Sequence, residues 1–81
     1  MKFQEAYELW QQKILCQGCR VRLKVDYVNK ETKEKEALFL TMTVDTIAVF
    51  KGKRKEVAVH GVPDGRSVSV GFLNVHIIEV L

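Results

Sequence analysis

Few residues in this chain have side chains of the types that do chemistry. Cys16-Gln17-Gly18-Cys19 has the spacing of a dithiol redox centre, or of one arm of a tetrahedral zinc site. A reactive thiolate of the first kind is stabilised at a helix N-terminus. Cys16 instead falls at the end of a helical pattern, where the dipole disfavours negative charge. His60 and His76 would complete a zinc set by count, but they stand sixteen residues apart on separate expected strands, without the short second spacing of zinc modules. The cysteines are therefore read as free thiols, and no metal or cofactor is expected. Neither histidine has a carboxylate or nucleophile at a telling distance along the chain. Asp26, Asp45, Asp64 and Glu79 are scattered, Asp64 is accounted for by its turn, and the five glycines form no phosphate loop. This pattern argues against an enzyme.

The basic residues are more suggestive. Arg20, Arg22 and Lys24 recur at every second position, which places them on one face of a strand. Lys51, Lys53, Arg54 and Lys55 crowd a turn. A strand stripe and a basic hairpin together match the footprint of a protein that grips a nucleic-acid backbone through phosphates. Phe39 and Phe50 are expected to point outwards, where they would offer bases a stacking surface. The plainer reading is that lysines at sheet edges deter edge-to-edge association and that Lys51–Lys55 is a solvated turn.

The elements that position these residues follow from hydrophobic periodicity. Phe3, Tyr7, Trp10 and Ile14 recur at helical spacing with Ala6 beside them, giving a helix over 2–17 that ends before Gly18. From Cys19 the period changes to two, through Val21, Leu23, Val25 and Tyr27. Asn29 to Glu36 is a polar hairpin loop. Leu38, Leu40, Met42 and Val44 face one side of the next strand, which bends near Asp45 and resumes at Ile47. Strands over Glu56–Val62, Arg66–Leu73 and Asn74–Leu81 complete the pattern, with Pro63-Asp64-Gly65 as a turn. The expected fold is mainly β (α+β): an N-terminal helix followed by a small antiparallel barrel of five to six strands over 19–81, all within a single domain, 1–81.

This order of elements resembles the Sm-like barrels, including the bacterial Hfq type, and equally a generic SH3-like barrel. Asp45 before Ile47-Ala48-Val49-Phe50 is similar to the acidic residue that precedes an apolar strand in the Sm-like family, and His76 is similar to a histidine of its last strand. Val75 stands where that family has lysine, its strand-two glycine is missing around Leu38-Phe39-Leu40, and Pro63-Asp64-Gly65 adds a hairpin. The resemblance implies an RNA-binding ring.

Composition sets the outer limits. Eighty-one residues with a net charge of +3 make one small domain with a thin core, which invites self-association into a homo-oligomer. No apolar run is long enough to span a bilayer, no membrane partner is expected, and two cysteines suit a reducing cytoplasm. The expected function is a non-catalytic small-barrel protein that contacts RNA or DNA through Arg20, Arg22, Lys24, Lys51, Lys53, Arg54 and Lys55. The alternative is a protein–protein interaction or assembly module with no nucleic-acid partner.

Overall fold

The computed structural model describes all residues, 1–81. Its helix, α1 (Phe3–Gln11), is followed by β1 (Arg20–Val28), β2 (Lys35–Thr43), β3 (Thr46–Lys51), β4 (Lys55–Gly61), β5 (Val70–Leu73) and β6 (Ile77–Val80), with a 3-10 turn over Asn74–His76. No helix is long and apolar enough to cross a membrane.

The helix is shorter than its sequence pattern predicts. Lys13 takes a left-handed conformation (φ 61°), the Lys13 N–H donates to the Trp10 carbonyl, and the Ile14 N–H donates to that of Leu9. This pairing closes the last turn as a Schellman cap, so the stop comes at Lys13 and not at Gly18. The chain then swings Ile14 outwards and drives Leu15 into the core. The buried side of α1 is consequently built on Ala6, with Phe3 and Leu9 packed against the core. Trp10 and Ile14, two members of the apolar helical stripe, are exposed, and Phe3, Tyr7 and Trp10 stack in a row along the helix at 5.5 and 5.7 Å.

The strands make two antiparallel three-stranded sheets, in the orders β2-β1-β6 and β3-β4-β5. β1 pairs with β2 along its whole length, from Arg20 opposite Thr43 to Val28 opposite Lys35. Their hairpin is held by the Asn29 side chain, whose oxygen accepts from the Glu31 and Thr32 N–H groups, and by left-handed Lys33. The corner from β2 to β3 falls at Val44-Asp45, close to the expected bend. There the Val44 N–H donates to the Cys19 carbonyl and the Asp45 N–H to that of His60, so consecutive residues tie to different sheets.

The sheets do not close into the expected barrel. Beyond the corner they share a single bridge, Met42 with Pro63, and the Asp64 N–H donates to the Thr41 carbonyl beside it. Proline has no N–H with which to continue a ladder. The Asp64-Gly65 turn then carries the chain away from β2. Residues 66–69 join no ladder, so the strand expected from Arg66 begins only at Val70, opposite Gly61. The Asn74–Leu81 strand is likewise reduced to Ile77–Val80 by the 3-10 turn.

The core lies between the sheets and under α1. Alternation brings Val21, Leu23, Met42 and Ile77 from one sheet against Val57 and Val59 from the other, with Val44, Leu15 and Ala6 completing the cluster. Asn74 is the buried polar side chain: its oxygen accepts from the Val57 N–H (3.1 Å) and its amide donates to the Met1 carbonyl (3.0 Å).

Candidate nucleic-acid interface

Strand alternation places Arg20, Arg22 and Lys24 together on the exposed face of β1. Across the β1–β2 register they face Thr43, Thr41 and Phe39, and Phe39 is 62% exposed beside Lys24.

Two of these three charges already have partners. The Arg20 guanidinium forms a two-pronged ion pair with Asp64 and also donates to the Thr43 hydroxyl (3.0 Å). Asp64 in turn accepts from the Thr41 hydroxyl (2.7 Å). Arg22 pairs with Glu79 of β6 at 2.8 Å. Lys24 is exposed and makes no ion pair. Asp64 is therefore more than a turn residue: it locks the Pro63–Gly65 turn onto the exposed face of the other sheet. Sequence spacing gave no sign of this, because Arg20 and Asp64 are brought together only by the sheet-to-sheet bridge.

The Arg20 guanidinium, and then the Thr41 hydroxyl, hold the Asp64 carboxyl well below the usual carboxylate range, at about 2. A carboxylate whose folded pKa is depressed contributes stability above its unfolded pKa of about 3.9, and that contribution disappears as pH falls towards the folded value. Glu36, held down by hydrogen bonds from Tyr27 and then Asn29, acts in the same direction. Between about pH 4 and pH 2 the wild type should therefore lose denaturant resistance more steeply than Asp64→Asn, as read from urea midpoints across that range. Parallel curves for the two proteins would show that the Arg20–Asp64 contact adds nothing in solution.

The second basic cluster sits on the other sheet. β3 and β4 pair from Thr46–His60 to Lys51–Lys55, so their turn lies roughly 17 Å along β3 from the corner near Arg20. The β1 stripe and this hairpin are thus on separate sheets and do not merge into one continuous patch. Lys51 donates to the Tyr7 hydroxyl (2.7 Å) and lies 4.7 Å from that ring's centroid. Arg54 pairs with Glu56 and sits 4.9 Å over the exposed Phe50 ring. Lys53 and Lys55 are exposed and form no ion pair. Lys51 and Lys55 stand directly opposite each other in the ladder, a like-charge placement that costs the hairpin stability and that an anion would relieve.

The cysteines and histidines do not converge. Cys16 and Cys19 are free and half-buried, joined by a turn in which the Cys19 N–H donates to the Cys16 carbonyl, and burial pushes the Cys19 thiol up. His60 lies on the outer face of β4, against Gly71. His76 holds its Nδ1 3.2 Å from the Lys24 carbonyl oxygen and meets Phe72 edge-on. No group of three or more His, Cys, Asp or Glu side chains is arranged to hold a metal.

No family model, curated protein or solved structure matches this chain.

Proposed function

We propose that this chain is a non-catalytic binding module that contacts the phosphate backbone of RNA or DNA, chiefly through the β3–β4 hairpin. The observation that supports this reading is the concentration of Lys51, Lys53, Arg54 and Lys55 at one turn. Two of these charges are unpaired, two are forced opposite each other, and an exposed aromatic ring lies alongside. Counterion release from phosphates would reward the free charges, and Phe50 with Arg54 offers a base a stacking platform. Lys24 of β1 and Phe39 of β2 extend the same chemistry on the other sheet, while Arg20 and Arg22 contribute less because each would have to leave its carboxylate. The N-terminal helix followed by six antiparallel strands suits a module of Sm-like or SH3-like kind, and the two free thiols suit a reducing compartment such as the cytoplasm.

The assembly-module alternative draws on a different observation. β3, β5 and β6 each leave one edge without a strand partner, as does β2 outside its contact with Pro63 and Asp64, and such edges are templates for pairing with another chain. Self-association into a homo-oligomer belongs to that reading.

Fluorescence anisotropy with short RNA and DNA across a salt series separates the two readings. Lys53→Gln/Lys55→Gln should reduce the slope of log affinity against log salt by about 1.4–1.8, according to strand type. Arg20→Gln/Arg22→Gln should change it less. Absence of binding to either nucleic acid at low salt would remove the phosphate-contact reading and leave the assembly module in its place.

A further inference from the structure

Where the two sheets part beyond the Met42–Pro63 bridge, they leave an open groove of about 700 Å³, within the usual range of small-molecule sites. Val25, Leu38 and Leu40 form one wall, from β1 and β2, while Val70 and Phe72 of β5 form the other. The inner faces of the sheets are apolar because they continue the core, and here nothing from this chain covers them. The rim is the 65–69 loop, where Val68 is 68% exposed.

Arg66 is the charged residue of this lining, and Ser67 lies next to it. The Arg66 guanidinium has no ion-pair partner and makes no side-chain hydrogen bond. The acid nearest to it in sequence, Asp64, is already held by Arg20 and Thr41. An apolar trough with one unspent planar cation at its rim is complementary to a ligand with an apolar tail and one anionic head. Guanidinium pairs in two-pronged fashion with carboxylate or phosphate, and an adjacent hydroxyl adds a donor.

We propose that this groove binds a single-chain amphiphile with an anionic carboxylate or phosphate head. The alkyl tail lies between the β2 and β5 walls, and the head is held by Arg66 and Ser67. This site shares no residue with the β3–β4 hairpin, so it stands or falls independently of nucleic-acid binding.

Decanoate and decyl phosphate, each below its micelle concentration, serve as probes in an NMR titration of the full chain, with decyltrimethylammonium as the same tail on a cation. Amide shifts should gather on Leu38, Leu40, Val70 and Phe72 with at least one anionic probe, and the tighter of the two identifies the head. Arg66→Gln should weaken that probe about tenfold while leaving the spectrum of the free protein unchanged outside the loop. Leu38→Asn, at an exposed wall position, should abolish saturation without unfolding the chain. Equal binding of the cationic probe, or undiminished binding by Arg66→Gln, would refute the head-group assignment. Shifts confined to other surfaces, no saturable binding, or a response only to anionic lipid vesicles would refute the groove as a site for a single amphiphile.

Discussion

Leu23→Ala is expected to lower the unfolding free energy by about 2–5 kcal/mol, the usual cost of emptying a fully buried leucine site. Leu23 has no solvent exposure and lies at the middle of the central strand of its sheet, between Leu40 of β2 and Ile77 of β6. Three strands therefore lose packing at once, and a β-sheet held by cross-strand ladders cannot easily collapse into the cavity. For a domain of this size, total stability is on the order of 4–12 kcal/mol, so the variant gives up a large share of it. The midpoint of thermal unfolding should fall by at least about 10 °C. Val25→Ala, on the same strand and face but at the groove, should cost clearly less, because Val25 is only half-buried and its loss opens no enclosed cavity. Similar losses for the two variants in matched denaturant titrations would mean that the groove wall is packed as tightly as the core.

The second large effect is at a glycine. Gly61→Ala should destabilise the protein by about 1–3 kcal/mol through overpacking. Gly61 ends β4 at the seam, and a methyl group there would sit far inside van der Waals contact with the Thr43 backbone carbonyl and press on the Met42 side chain. A backbone neighbour cannot rotate away, so the seam must widen, straining the Met42–Pro63 bridge and the Asp64 N–H bond to Thr41. Gly71→Ala provides the control on the same sheet. Its added methyl would meet the tip of the His60 imidazole, which lies on an exposed face and can turn aside. A cost for Gly71→Ala matching that for Gly61→Ala would show that side-chain relief at His60 is not open, and no cost for Gly61→Ala would show that the seam is loose.

Periodicity carried most of the fold. The alternation from Val21 to Tyr27 and from Leu38 to Val44 needs only its own residues to declare a half-buried strand, and the two strands pair accordingly. The corner at Val44-Asp45 was also legible, because an acidic residue interrupts an apolar run. What depended on tertiary encounters was not. Ile14 completes a helical stripe on paper, but a lysine adopting a left-handed conformation removes it from the helix, and Lys gives no signal of that kind. Val68 alternates correctly, yet no strand lies beside it. The barrel stays open because the chain leaves β2 at the Asp64-Gly65 turn, and where that turn points is settled only by the neighbouring strand. In the candidate site, outward-facing cations could be read from spacing. That Arg20 and Arg22 meet Asp64 and Glu79, dozens of residues later in the chain, could not.

The central position of β1 governs the order in which the molecule can be completed. Its two neighbours are β2, which follows within a hairpin, and β6, whose Ile77 pairs with Leu23 across more than fifty residues. During synthesis at about 5–20 residues per second, roughly 2–8 s separate the emergence of the two partners. Early in that interval the β1–β2 hairpin is a two-stranded ribbon, marginal until Val57 and Val59 of β4 reach its apolar face, and its β1 edge stays bare until β6 arrives. The β1–β6 ladder is thus expected to form late, and until it does the bare β1 edge is open to pairing with another chain.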